Sequence, residues 1–425
     1  MKYMLILLIS FFILLFLRVP VAISLALSTI FVLFQIDFNM NMVPQRIFTA
    51  LDSFPMMAIP GFVLAGVLMA RGGISKYLIE ALRAWIGHLP GGLAVVTILA
   101  CAIFAAISGS SPATAAAIGS IMIPAMISAG YKKRYSMGLV AAGGTLGILI
   151  PPSVPLIIYG ITSEQSIGEL FMAGVIPGLA LTGILIVAAI FYAKKNGFKG
   201  DAKASWGERG RKSLKAIWGG FLPFLILGTI YSGVVTPTES AVIAVFYGLV
   251  VSLFIYREMK LKDFREVLVE SINITAMIYL IIGAASLFGL YLTNAQVPQN
   301  VGAWIAESDM NKWIFMIIVN ILFFFMGMFL EAVSIILITL PILLPILVHF
   351  DINLIHFAII MTINMELGMI TPPVGLNLFV VSGIAKEKLG EVVKGVIPFI
   401  VLMIVFLALV VLLPQLSLWL PEQMK

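Results

Sequence analysis

An apolar run long enough to cross a bilayer leaves a chain few choices, and most of this chain consists of such runs. Lipid offers nothing to a peptide N–H or C=O, so a spanning segment must be a helix or a strand of a closed barrel. The runs lack the two-residue alternation of barrel strands. Most are near the roughly 20 residues that a helix needs to cross about 30 Å of hydrocarbon. Apolar residues make up 61% and charged residues 11%, against about a quarter charged in soluble domains. The expected class is an all-α polytopic membrane protein. Spans are predicted near 3–17, 19–35, 55–70, 135–160, 170–193, 216–233, 235–256, 270–293, 356–384 and 395–420. Two further apolar segments, 91–128 and 312–348, are interrupted midway by SGSSP (Ser108 to Pro112) and by MGMFLEAVS (Met326 to Ser334).

Two of the spans are broken in the same way. GGTLGILIPPSVP (Gly143 to Pro155) and NMELGMITPPVGL (Asn364 to Leu376) share the form L-G-x-x-x-P-P, 221 residues apart. Other landmarks recur at nearly that offset: Pro20 with Pro237, Gly61 with Gly283, Ala84-Trp85-Ile86 with Ala303-Trp304-Ile305, and Pro124 with Pro345. A nearly constant offset indicates duplication, with repeats at 1–200 and 216–425 joined by a linker at 201–215. The linker is expected to be a solvated cytoplasmic connection. The stretches 73–88 and 298–309 read as short amphipathic helices along the membrane surface.

Charge orients the repeats. If both interrupted segments are re-entrant hairpins, 22 of the 26 Lys and Arg fall on one side, leaving Lys2, Arg46, Lys312 and Lys425 on the other. The basic side is cytoplasmic, so both termini are expected outside and the hairpins enter from opposite faces. Inverted repeats with discontinuous helices near mid-membrane mark secondary transporters.

The breaks have a chemical use. Proline removes an N–H and clashes with the preceding turn, while glycine tolerates strained dihedrals. A Pro-Pro pair thus frees main-chain carbonyls, and non-helical backbone at membrane depth persists only where it is buried or lines a wet cavity. Oxygen ligands suit a hard cation such as sodium. Residues 108–111 against Gly144–Val154 could close one cation cage, and Gly327–Ser334 against Glu366–Val374 a second. The hairpin arm starting near Pro112 also presents a helix N-terminus, which stabilises an anion. Acidic residues within apolar sequence are functional candidates. Glu331 lies at the second hairpin tip and Glu366 beside the second break, whereas Glu239, in TPTES, reads as a helix cap.

Other classes are excluded. One cysteine, Cys101, rules out a disulfide framework, and the first twenty residues lack a small-residue cleavage site, so they are expected to remain as a span. The net charge of +6 resides in loops, where it sets topology rather than binding nucleic acid. No Walker loop is present. His88, His349 and His356 share no metal-ligand spacing and lie at span edges. No enzyme and no cofactor are expected.

SGSSPATAAAIGSIMIPAM, GTLGILIPPSVPLIIYG, VTPTESA and MELGMITPPVGLNLF together resemble the large membrane subunit of tripartite ATP-independent periplasmic (TRAP) transporters, over essentially the whole chain. The resemblance implies a bacterial inner-membrane importer, driven by Na+, of small organic acids such as sialic acid or C4-dicarboxylates. It implies a periplasmic substrate-binding protein, a separate small four-helix membrane subunit, and an elevator movement of the hairpins and broken helices. Carried over, Ser108, Ser110, Gly144, Gly147, Pro151 and Val154 would surround one sodium, and Gly327, Gly368, Thr371 and Val374 another. Ser110, Ser153 and Glu331 become candidate substrate contacts. The alternative is an autonomous sodium-coupled carboxylate transporter or antiporter that needs no binding protein.

Overall fold

The computed structural model describes residues 2–424 apart from Lys199, Ser308 and Asp309. Lys199 and Lys425, two of the charges in the orienting split, and the last residues of the 298–309 stretch therefore lie outside the described residues. The first part comprises α1 (Lys2–Phe16), α2 (Val21–Gln35), α3 (Met42–Leu51), α4 (Ala58–Arg71), α5 (Ile74–Ile86), α6 (Gly92–Ser108), α7 (Ser111–Ser128), α8 (Lys133–Leu149), α9 (Val154–Ser163) and α10 (Ile167–Asn196). The second comprises α11 (Trp206–Gly220), α12 (Leu222–Tyr231), α13 (Pro237–Val250), α14 (Phe264–Asn294), α15 (Val297–Glu307), α16 (Lys312–Gly327), α17 (Ala332–His349), α18 (Leu354–Met369), α19 (Leu376–Ala385), α20 (Leu389–Leu412) and α21 (Gln415–Gln423). Among the described residues there is no strand. Among the described residues, eight helical segments are long and apolar enough to cross a membrane, and α11 with α12 make a ninth if that bent pair is one span.

Both proline pairs end a helix, as the sequence predicts: α8 stops at Leu149 and α18 at Met369. The α8–α9 segment is the inner element, with 94% of its apolar window buried, against 39% for α10, α13 and α20, which keep an outward apolar face. Glycine brings the central helices together. α8 crosses α20 at Gly138 and Gly395, whose backbones touch, and α16 crosses α18 at Gly327 and Gly368.

The packing of the broken elements is reciprocal. α6 and α7 lie against α8, and α16 lies against α18; α7 then packs on α19, and α17 on α9. A second set of contacts joins α14 to α2, α3 and α4, and α13 to α4. The cavity described below lies between these two sets.

Some local expectations need correction. The 201–215 linker is not a bare solvated connection. Ser205 caps α11, its hydroxyl accepting from the Glu208 N–H at 3.2 Å. Arg209 donates through Nε to the Ala84 carbonyl at 3.1 Å, with its guanidinium over the Trp85 and Trp206 rings. Burial of an aromatic-clamped arginine holds α11 on α5. The span predicted at 216–233 begins later, because α11 runs to Gly220 and α12 leaves it at 43°. The connection between the predicted spans 19–35 and 55–70 contains an unpredicted helix, α3. Glu239 caps α13 as expected, accepting from the Thr236 N–H at 2.7 Å and hydroxyl at 2.9 Å. His356, expected at an interface, is buried and shares a hydrogen bond of 3.2 Å with the Ser417 hydroxyl.

Candidate functional site

At the first hairpin, α6 ends at Ser108 and Gly109 reverses the chain in the left-handed region, φ +59°. Ser110, in extended conformation, precedes α7. The hydroxyls of Ser108 and Thr114 both donate to the Ser110 carbonyl, at 3.3 and 2.9 Å, and lie 2.9 Å from each other. The tip presses on the break: a β-carbon on Gly109 would meet the Pro152 carbonyl oxygen at 2.8 Å. On α8, a β-carbon on Gly144 would lie 2.7 Å from the Ala115 side chain, and one on Gly147 only 2.5 Å from the Ser110 carbonyl oxygen. Prolines at 151 and 152 supply no N–H, so the Gly147 and Ile148 carbonyls lose their donors from the next turn.

The second hairpin repeats this plan with other residues. α16 ends at Gly327, packed backbone to backbone on Gly368. Glu331, extended, precedes α17. The break is tied to the tip by the Gly375 N–H, which donates to the Met328 carbonyl at 3.2 Å. Gly375 takes a left-handed φ of +59° and starts α19. Thr371 closes the end of α18 on itself, its hydroxyl donating to the Leu367 carbonyl at 2.6 Å and its N–H to the Gly368 carbonyl at 3.0 Å. Val374 is half-buried beside Gly375. The Pro151–Pro152 and Pro372–Pro373 bonds are both cis. The surroundings differ: Pro151 and Pro152 are buried, whereas Pro372 and Pro373 are exposed.

Both tips and both breaks reach one cavity of about 330 Å³. Its wall includes Ser110 and Ser111 where α7 begins, Val154 and Pro155 where α9 begins, Glu331 and Ala332 where α17 begins, and Leu376 where α19 begins. Four helix N-termini thus converge. The opposite wall is α4 and α14, through residues such as Val67, Ile274 and Met277. Among the described residues the wall has no Lys or Arg; its charged members are Glu270 and Glu331. Glu270 is engaged by Arg71, the guanidinium lying 2.8 Å from its carboxylate. One Glu331 carboxylate oxygen has no hydrogen-bond partner.

Of the residues predicted from sequence, Ser108, Ser110, Val154 and Glu331 line this cavity. Gly144, Gly147, Pro151, Ser153, Gly327, Gly368, Thr371 and Val374 do not; they form or flank the breaks and their contacts with the tips. Ser153 is buried behind the wall, its hydroxyl without a partner. Glu366 is wholly buried on α18, outside the wall, and neither of its carboxylate oxygens has a partner. Sequence reasoning missed four polar residues. Thr114 completes the first tip. Asn377 donates to the Ser111 hydroxyl at 2.8 Å and to the Ala141 carbonyl at 3.2 Å, tying α19 to α7 and α8. Asn364 donates to Asn320 at 2.7 Å across the α16–α18 contact. An amide inside an apolar run was the available signal.

Residues 8–416 match the family described as the tripartite ATP-independent periplasmic transporter, DctM component. This chain belongs to that family. Over 377 residues, 89% of this chain and 88% of the relative, it is 44% identical to the C4-dicarboxylate TRAP transporter large permease protein DctM of Pseudomonas aeruginosa. It is 35% identical to the sialic acid TRAP transporter permease protein SiaT of Haemophilus influenzae, covering 96% of this chain and 67% of that one. Identity is 41% to the isethionate TRAP transporter permease protein DctMQ of Oleidesulfovibrio alaskensis, covering 94% and 64%. The fold is similar to that of the YdaH transporter of Alcanivorax borkumensis, with a TM-score of 0.60 at 14% identity over 88% of this chain and 90% of that one. The protein is a multi-pass membrane component of a TRAP transporter. Its relatives are named as permeases, and it is a transport protein rather than an enzyme.

Proposed function

We propose that this chain imports a small organic acid by sodium-coupled transport. The observation that carries the reading is the convergence of four helix N-termini on a cavity whose wall has no Lys or Arg among the described residues. Each N-terminus presents roughly half a positive charge and unpaired N–H groups, a setting for an anion without the expense of a permanent cation at membrane depth. Glu331, in the same wall, opposes a carboxylate, so the positive field must be completed by ions that arrive with the cargo. Sodium suits the oxygen donors at the breaks. The first site would use Ser108, Ser110, Gly144, Gly147, Pro151 and Val154; the second would use Gly327, Gly368, Thr371 and Val374.

Tips and breaks would move together as a transport domain against α4 and α14. A periplasmic binding protein would deliver the cargo, and a small four-helix subunit would brace the scaffold. The charge asymmetry supports an orientation in which the basic face would lie in the cytoplasm and both termini in the periplasm, in the bacterial inner membrane. C4-dicarboxylate, sialic acid and isethionate, named for the relatives, are all organic anions, which supports an organic anion as the cargo here.

Uptake into proteoliposomes containing both membrane subunits, with a candidate binding protein outside, tests this. An inward sodium gradient should drive accumulation and a potassium gradient should not. Equal uptake in both salts contradicts the coupling. Sodium-driven uptake that needs no binding protein supports the autonomous carrier instead.

A further inference from the structure

A separate pocket of about 330 Å³ lies where α11 meets α5 and the end of α13. Its floor is the pair Tyr77 and Tyr256, rings 4.5 Å apart. Arg211 and Lys215 line one side, one helical turn apart, with apolar Leu214, Trp218 and Ile255 beside them. Among the described residues no acidic side chain lines it. The nearby Glu258 is already engaged, accepting from Lys76 at 3.0 Å and from the Tyr77 hydroxyl at 2.7 Å.

The two cations are held ready. Tyr256 donates its hydroxyl to the Lys215 carbonyl at 2.6 Å and accepts from the Gly219 N–H at 3.0 Å, which fixes this turn of α11 over the tyrosines. The Lys215 ammonium lies 5.5 Å from the Tyr77 ring centre. Lys212, on the same helix, pairs with Glu208 at 2.6 Å, but among the described residues no carboxylate comes within ion-pair distance of Arg211 or Lys215.

The pocket also has the right depth. α12 departs from α11 at 43° as the sequence turns apolar. Leu214, Trp218, Phe221, Phe224 and Phe254 are exposed around this junction. Basic side chains beside an exposed aromatic belt mark headgroup level at a membrane surface. A free anion in solution would gain nothing from the belt, whereas a lipid fills both parts. We propose that this pocket binds the phosphate of an anionic phospholipid, with Arg211 and Lys215 on the headgroup and the acyl chains along Leu214, Trp218 and Phe254. The site is independent of the transported cargo.

Native mass spectrometry of the purified full-length protein, titrated with phosphatidylglycerol or phosphatidylcholine, tests the proposal. Phosphatidylglycerol should be retained preferentially. Arg211→Gln with Lys215→Gln should weaken that retention roughly 10- to 30-fold, while Lys260→Gln with Lys262→Gln, an equal loss of charge outside the pocket, should leave it intact. Photoreactive phosphatidylglycerol should label residues of α11 in the unaltered protein, a readout that needs no variant to fold. Equal retention of both lipids, equal loss in the control variant, labelling elsewhere only, or displacement of the lipid by inorganic phosphate would each overturn the assignment.

Discussion

Gly147 and Gly368 sit 221 positions apart, and each lets a broken helix touch a hairpin tip through bare backbone. Any side chain there enters occupied space: Gly147 faces the Ser110 carbonyl oxygen, and Gly368 faces the Gly327 backbone. Gly147→Ala is expected to cost about 1–3 kcal/mol through overpacking and to reduce sodium-dependent uptake, as the tip moves off the break. Gly183→Ala, where a β-carbon meets nothing within 4 Å, is the control, and parallel thermal unfolding and uptake assays separate the two. Asn377 makes a similar case for polar groups. Asn377→Leu leaves the Ser111 hydroxyl and the Ala141 carbonyl without their donor. That should lower stability by roughly 1–3 kcal/mol, read as a reduced unfolding midpoint in detergent.

At the scale of elements, the proline pairs were legible because proline cannot supply an N–H wherever it sits. The breaks at 150–153 and 370–375 and both hairpin turns follow from that and from glycine. Less was legible where the outcome depends on partners distant in sequence. α11 reads as a charged linker until Trp85 is available to stack on Arg209. Asn377 reads as an ordinary residue of an apolar helix until α7 brings Ser111 to it. Ser153 and Val154 adjoin in sequence, yet only Val154 reaches the cavity wall, because the first turn of α9 decides which one points inward. Replacing both Pro151 and Pro152 by alanine restores two N–H groups to α8. The expected result is normal insertion with weakened sodium dependence of uptake. Unaltered sodium dependence would reduce the break to a packing kink.

Across the whole molecule, the two halves are held together at their centre and at one surface. The centre is the reciprocal packing of α7 on α19 and α17 on α9. At the surface, Lys133 pairs with Glu387 at 2.8 Å and Arg134 pairs with Glu391, joining the start of α8 to the start of α20. Hydrogen bonds from Lys133 and Arg134 are the leading cause holding the two carboxyls below their ordinary range. A carboxyl with a lowered folded-state value contributes stability above its unfolded value, near 4.5, and loses it as pH falls through the folded one. The unfolding midpoint should therefore be level from neutral pH down to about 5 and decline below about 4. Glu387→Gln with Glu391→Gln should remove part of that decline, and high salt should shrink their contribution because these groups face water.

In the proposed mechanism, oxygens at the two helix breaks hold sodium and so prepare the cavity for an anion. Thermal unfolding of the purified protein against rising NaCl, with KCl holding ionic strength constant and no cargo present, tests it most directly. A ligand that binds only the folded state raises stability as RT ln(1 + [L]/Kd). The midpoint should climb as sodium replaces potassium, with the climb reduced by the double Pro151, Pro152 to alanine change. Coincident curves in the two salts would contradict it.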